Sequence, residues 1–561
     1  MRWLRALLPG VAVVAATLWL YAPTLRFELA GDDYQWVQHA HLAMHRPVLL
    51  LADLDTFYRP ASTWTLVLDR LLWGYRPSGY HLTNLLLHGL AGVGLALVGR
   101  RLGLSWAVGW ALGLLWATSS FSEEPAASVA IRFEDLLLLA WLGMILVWPR
   151  PHEGWSTGRR VVAAGFTALA LFSKETWVVT PGLVCALEWG FRKTEFRRAL
   201  RTALPFLVLV LAYVAVYFLA FPGGKNYYEV SLRPLLKVAH QLAAFLFLEG
   251  LVPVAFPLSA AGVFATAVVA GVLIFALRRR NPSATVGAAL LLLPMLPTLL
   301  VPYLPTRYTT IPYAGFLLLL AGAAQEVAGE MRARWRAAAE VAAAAVVALV
   351  LVAAVLVVRA DLDDLRRVSE AHRKLLAEAR AALAQFPLRR PVLVVRQEAD
   401  NPLRDITTSP LGMPKLLFVR HSDPYGLADA GALFEWAFGR DDVSVRRFDD
   451  GEERFGQSTG AVLAHRTGGF SWLSLEAPRL GELARTTREA GVHTRVIYAA
   501  QLPQGHPTAW TAGLLASWRP GQPPLQRTSG AVQQQELVGL QPLGKWPVPA
   551  QDPAHHRVRR K

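Results

Sequence analysis

A single cysteine, Cys185, stands in 561 residues, and it lies inside an apolar run. No disulfide can form within the chain, so a cross-linked scaffold is excluded. Charge is scarce as well: 17% of residues are Asp, Glu, Lys or Arg, and the acids (41) are outnumbered by Lys and Arg (57). A soluble chain of this length can bury a large core, yet it still needs a more polar surface than that. There is no collagen-like repeat, and the composition is not that of a disordered chain.

What fills the chain instead is apolar: 53% of residues, with a mean hydropathy of +0.32. Long uncharged runs of this kind point to a polytopic membrane protein. The net charge of +16 would suggest a nucleic-acid partner in a soluble protein. Here the basic excess sits at the ends of apolar runs, where the tendency of Lys and Arg to stay on the cytoplasmic side explains it, so the expected partner is the lipid bilayer and not nucleic acid.

Met1–Arg5 is a short basic start, and residues 6–24 are apolar. No small-residue cleavage site ends that run, so it reads as a retained first span with a cytoplasmic N-terminus. Further runs lie near 82–99, 104–120, 135–148, 161–172, 176–190, 203–221, 259–277, 283–301, 308–324 and 338–358. This predicts about eleven transmembrane helices of roughly 20 residues each. The basic groups around Arg100, Arg159, Arg197, Arg279 and Arg334 fall on one side only if 161–191 is a hairpin broken at Ser173-Lys174-Glu175. The expected organisation is a transmembrane domain over 1–358, a small extracytoplasmic α/β domain over 359–550 and a disordered basic tail over 551–561. The runs 391–396, 416–420 and 495–499 are the expected strands.

Ionisable groups near membrane depth are costly, so each is a functional candidate. Asp32-Asp33 follows span 1. Paired carboxylates suit proton abstraction or a divalent cation, and one of them can equally cap a helix. Tyr58-Arg59-Pro60 holds an arginine extended, its guanidinium free to fork onto a phosphate. His81, Asn84 and His88 share a helical face, where hydrogen bonds between helices are their usual role. The loop 119–135 carries Glu123, Glu124, Arg132, Glu134 and Asp135, which reads either as a solvated loop with Arg132 paired to a neighbour or as part of a site. Lys174-Glu175 and Arg307-Tyr308 add two cations that suit an anion, or else a Lys174–Glu175 pair with a snorkelling Arg307. Together these describe transfer of a group from a lipid-linked phosphate donor.

On these residues the chain resembles the GT-C superfamily of integral-membrane glycosyltransferases, nearest the protein O-mannosyltransferase-like and tetratricopeptide-carrying O-mannosyltransferase branch. The shared features are Asp32-Asp33; Tyr58-Arg59-Pro60; Gly79-Tyr80-His81 with Asn84 and His88; Glu124, Arg132 and Asp135-Leu136-Leu137; Ser173-Lys174-Glu175; and Arg307-Tyr308 with Pro312. Two features depart from it. Ser119 and Ser122 stand where histidines precede the loop glutamate, and the C-terminal repeat array is missing. The resemblance implies a GT-C-like bundle, a sugar donor on a polyprenyl phosphate, inversion at the anomeric carbon, and a glycan, lipid or protein acceptor. It implies Asp33 as general base, with Asp32 as the alternative base or a supporting acid. Arg59, Lys174 and Arg307 would hold the donor phosphate. Glu124 would orient the acceptor, with Arg132 paired to it. Tyr58, His81, Asn84, Arg132, Glu175 and Tyr308 would support the site. A divalent metal is a possible cofactor in this scheme, with Asp32, Asp33 and Glu124 as candidate ligands. Arg-rich, Lys-poor usage leans towards a bacterial inner membrane. The competing readings are a transporter or flippase of lipid-linked saccharide, and a non-catalytic membrane scaffold presenting its C-terminal domain.

Overall fold

The structure is a computed structural model. It describes residues 2–30, 32–51, 57–220, 260–299 and 306–384, together with Val238, Leu242, residues 244–246, Trp436 and the strand segments 392–397, 444–447, 461–466, 469–473 and 494–498. It divides into two compact units. The first takes in Met1–Leu219, Gly223–Arg380 and Asn401–Gly439, and the second takes in Ala220–Pro222, Ala381–Asp400 and Arg440–Lys561.

The first unit is helical. Its helices are α1 (Arg2–Tyr21), α2 (Asp33–His45), α3 (Pro60–Trp73), α4 (Pro77–Arg101), α5 (Trp106–Ala117), α6 (Glu123–Ala127), α7 (Phe133–Val147) and α8 (Thr157–Ser173). They continue as α9 (Thr180–Ala186), α10 (Phe196–Ala220), α11 (Ala260–Arg279), α12 (Pro282–Leu292), α13 (Met295–Thr298), α14 (Thr310–Glu330) and α15 (Ala333–Ala384). Each apolar run read from the sequence overlaps a helix. Among the described residues five helical stretches are long and apolar enough to cross a membrane: Leu8–Arg26, Pro77–Arg101, Phe196–Tyr217, Arg307–Glu330 and Ala333–Glu370. Trp106–Ala117 and Pro282–Thr298 are shorter apolar helices.

Several of the basic residues bond to backbone carbonyls between the helices. Arg101 donates to the Trp148 carbonyl. Arg192 Nη2 reaches the Glu153 carbonyl at 2.8 Å, and Arg280 Nη2 reaches the carbonyls of Trp189 (2.7 Å) and Thr194 (2.9 Å). The start of α8 and the segment after α9 therefore meet at one end of the bundle, so 157–191 turns back on itself at Ser173–Glu175. That break is built by the backbone: Lys174 is extended, at φ −160 and ψ 147, between α8 and a 3-10 turn over Glu175–Val179.

Small residues set a close helix crossing. Gly287 of α12 and Gly315 of α14 face each other, and a Cβ at Gly315 would stand 2.2 Å from the Leu291 nitrogen. Without a hydrophobic drive between helices in lipid, such close backbone approach supplies the packing.

Helix α15 joins two segments that the sequence separates. Residues 338–358 and the charged stretch 361–385 form one helix of 52 residues. At 1.5 Å per residue it is roughly 78 Å long, more than twice a hydrocarbon core. The expected boundary at 358 falls inside it. Beyond that point it packs on the end of α1. Val358 and Leu362 join Leu20, Tyr21 and Phe27 in a buried cluster, the Glu28 amide donates to Ser369 Oγ at 2.8 Å, and Arg373 pairs with Glu28 at 3.5 Å.

The second unit contains a five-stranded sheet of β1 (Val392–Gln397), β2 (Ser444–Arg447), β3 (Ala461–Arg466), β4 (Gly469–Leu473) and β5 (Thr494–Tyr498), in the order β2-β5-β1-β3-β4. Of the described neighbouring pairs, β1–β3 is parallel and β2–β5, β5–β1 and β3–β4 are antiparallel; Val394 pairs with Leu463 on one side and Ile497 on the other. The runs expected as strands at 391–396 and 495–499 overlap β1 and β5. The run 416–420, the helices expected around the sheet and the tail 551–561 lie outside the described residues.

Candidate active site

The segment between α5 and α7 is not the solvated loop that its charges allow. It winds as a 3-10 turn over Ser120–Ser122, α6, a second 3-10 turn over Val129–Arg132, and then α7. Glu124, Ser128, Arg132, Glu134 and Asp135 are all buried within it. Burial at this price needs partners for every polar group. Asp33 and Asn84 supply several. Asp33 Oδ1 accepts from Ser128 Oγ at 2.9 Å and the Ala130 amide at 2.7 Å, and its Oδ2 accepts from the Ala30 amide at 3.1 Å. Asn84 Nδ2 donates to the carbonyls of Pro125 (3.0 Å) and Ser128 (2.6 Å).

Arg132 is not the partner of Glu124. Its Nη1 lies 2.6 Å from Asp69 Oδ2 on α3, with both side chains buried, and its Nε donates to the Val129 carbonyl at 3.2 Å. Asp69 Oδ1 also accepts from Thr83 Oγ1 at 2.6 Å. Burial raises the Asp69 carboxyl, and the Arg132 charge opposes that. Asp69 was not among the residues singled out from the sequence. A lone acid on a helix whose outer face is Trp64, Leu68, Leu71 and Leu72 is the signal that marks it.

Each of the three candidate phosphate-binding cations has its own carboxylate. Arg59 Nη2 is 2.8 Å from Glu175 Oε2, and its guanidinium lies over the rings of Phe133 (3.8 Å) and Phe57 (4.3 Å). Lys174 pairs with Glu134, not with its neighbour Glu175, and its Nζ stands 4.7 Å from the Tyr308 ring centroid. Arg307 binds Glu124 twice, with its Nη1 at 3.1 Å from Oε1 and its backbone amide at 2.5 Å from Oε2. The three cations share neighbours: Arg59 and Lys174 both approach the Phe133 ring, at 3.8 and 5.6 Å, and Lys174 and Arg307 both approach the Tyr308 ring, at 4.7 and 5.7 Å. Glu134, which the sequence names only as one charge of the 119–135 loop, is here the partner of Lys174.

The two aspartates after α1 differ in kind. Asp32 is exposed at the N-terminal end of α2, its side chain makes no capping bond, and it acts electrostatically on Arg307. Asp33 is 1% exposed. Burial pushes the Asp33 carboxyl up to about 6, against the pull of its bonds from Ala130, Ala30 and Ser128. With three of its acceptor positions filled, Asp33 is a fastener of the loop.

The same donors test a metal site. Both oxygens of Asp33 and both of Glu124 are engaged by N–H or O–H donors, which leaves no set of converging free carboxylates. Among the described residues no group of three or more His, Cys, Asp or Glu is placed to hold a metal ion. The residues present do not fit a divalent cation shared by Asp32, Asp33 and Glu124.

The remaining candidates serve packing or flank the cations. His88 Nδ1 is 3.1 Å from Asp135 Oδ2 and its ring stacks on Trp116 at 4.5 Å. His81 is buried beside the Glu28 backbone. Tyr58 meets Phe172 edge-on at 6.2 Å.

No protein-family profile matches the chain, and no curated protein matches it. Among solved structures it is similar to ArnT from Cupriavidus metallidurans bound to undecaprenyl phosphate, at 17% identity and a TM-score of 0.38, over 67% of this chain and 72% of that one. The apo state of the same protein gives 16% identity, with the same score and coverage. At that overlap neither structure assigns a role to any residue here.

Proposed function

We propose that this chain is a GT-C-type glycosyltransferase that moves a sugar from a polyprenyl-phosphate donor to an acceptor hydroxyl on the extracytoplasmic face of a bacterial inner membrane. The motifs favour the O-mannosyltransferase-like branch. The observation that carries the reading is the grouping of Arg59, Lys174 and Arg307 about the Phe133 and Tyr308 rings, with exposed Asp32 within electrostatic range of Arg307.

The chemistry follows from that arrangement. The donor is a phosphodiester with one negative charge. Asp32 takes the proton of the acceptor hydroxyl, and the acceptor oxygen bonds to the anomeric carbon from the face opposite the phosphate. The bond from that carbon to the phosphate oxygen breaks, and its electron pair stays on the phosphate, which leaves as a dianion. The three cations therefore bind the departing group more strongly than the donor, which is the condition for lowering the barrier. A general base is typically worth ~10²–10⁴-fold. Relative to the sequence expectation the aspartates exchange roles: a base must reach its substrate, and Asp32 is exposed while Asp33 is enclosed. Glu124 holds Arg307 in place.

Membranes carrying Asp32→Asn, supplied with radiolabelled polyprenyl-phosphate sugars, should lose transfer by ~10²-fold or more while keeping the donor bound. Undiminished transfer at normal expression would remove Asp32 as the base.

A further inference from the structure

The cation cluster is not a ready anion receptor as it stands. Arg59, Lys174 and Arg307 face Glu175, Glu134 and Glu124, so the cluster is neutral, and Asp32, within electrostatic range of Arg307, tips it negative. A phosphate entering such a cluster meets as much repulsion as attraction unless a carboxylate gives way. The three carboxylates are not equally able to do so. The side chains of Glu134 and Glu124 are 1% and 3% exposed, and removing either from its cation would strand a buried charge. The Glu175 side chain is 28% exposed. It opens a 3-10 turn directly after the extended Lys174, at the break between α8 and α9. Arg59 does not depend on Glu175 alone for its position, because its guanidinium also rests on the rings of Phe133 and Phe57.

On the function proposed above, we infer that Glu175 is a displaceable carboxylate: it occupies Arg59 in the empty site and yields the guanidinium to the donor phosphate. Glu175 then acts as a specificity-determining residue. A free inorganic anion must evict it with electrostatic attraction only. A lipid-linked phosphate brings the binding energy of its chain and can offset the eviction. The empty site is thereby guarded against small anions, and the cations are released for the lipid phosphate.

The test uses the full-length protein in detergent with radiolabelled undecaprenyl phosphate as probe and inorganic phosphate as competitor. Glu175→Gln should bind the probe at least about 3-fold more tightly than the wild type, the size expected from freeing a partly exposed ion pair. Inorganic phosphate should compete at correspondingly lower concentration in that variant. In an Arg59→Ala background the gain from Glu175→Gln should vanish, since there is no guanidinium left to release. A merely structural role for Glu175 would weaken binding and would not strengthen it. Glu175→Ala carries the same expectation should the glutamine variant fail to accumulate. Unchanged or weaker probe binding in both variants overturns the inference, as does a gain that persists undiminished without Arg59, which would be simple charge repulsion. If the wild type binds no probe, or binds it equally well after Arg59→Ala, Lys174→Met and Arg307→Gln, the proposed function itself fails.

Discussion

Asp33 and Asn84 hold Ser128 from two sides: Asp33 Oδ1 accepts the Ser128 hydroxyl at 2.9 Å, and Asn84 Nδ2 donates to the Ser128 carbonyl at 2.6 Å. One grip comes from the segment after the first span and the other from α4. Between them they fix the buried stretch that presents Glu124 to Arg307. Asn84→Ala leaves the Pro125 and Ser128 carbonyls without that donor. The expected cost is about 1–3 kcal/mol, read as a lower melting temperature in detergent, together with weaker prenyl-phosphate binding. A melting temperature equal to that of the wild type would mean the grip holds nothing.

The Arg132–Asp69 pair ties the same stretch to α3 where both side chains are buried. Arg132→Met strands the Asp69 carboxylate and should cost about 3–5 kcal/mol. Arg132→Met combined with Asp69→Leu removes both charges and should recover a large part of that loss. A double variant no more stable than the single one would show that the pair is not coupled.

Stability should depend on pH through Asp33. Its carboxyl, ordinarily near 3.8, stands at about 6 in the fold because it is buried. The folded state therefore holds a proton that the unfolded chain has released between those values. The contribution of Asp33 is greatest below pH 4 and declines as pH rises to 6, by roughly 2–3 kcal/mol at most. Thermal melts of the wild type and Asp33→Asn over pH 4–8 should diverge in that window, with the wild type losing ground as pH rises. Parallel curves would contradict the assignment.

The two ends of the bundle can be told apart by labelling. In a Cys185→Ser background, an impermeant maleimide should reach His45→Cys in cells with the outer membrane opened. It should reach His152→Cys and Lys193→Cys only after the inner membrane is breached. Labelling of positions 152 and 193 from opposite faces would break the hairpin at Ser173–Glu175. Labelling of all three in the reverse sense would overturn the proposed sidedness.

Much of this was legible in the chain. The apolar runs, the basic ends and the break at Ser173-Lys174-Glu175 depend on local hydropathy and charge, which a single pass along the sequence registers. The three cations and the acidic pair stand out because charge is costly near membrane depth. Helix α15 was only half legible, because its polar half and its apolar half differ in composition while sharing one backbone.

What only the tertiary structure decided is which charge meets which. Arg59 finds Glu175 across 116 positions and Arg307 finds Glu124 across 183, while Lys174 passes over adjacent Glu175 for Glu134, 40 positions away. Arg132 likewise turns from Glu124 to Asp69. The difference between Asp32 and Asp33 has the same origin: Asp32 precedes α2 with a helix-like backbone, and successive side chains on such a backbone diverge by about 100°, so one neighbour faces the core and the other faces water. Sequence determines which groups are costly to bury. Packing alone determines the direction each one points, and therefore which opposite charge is near enough to offset that cost.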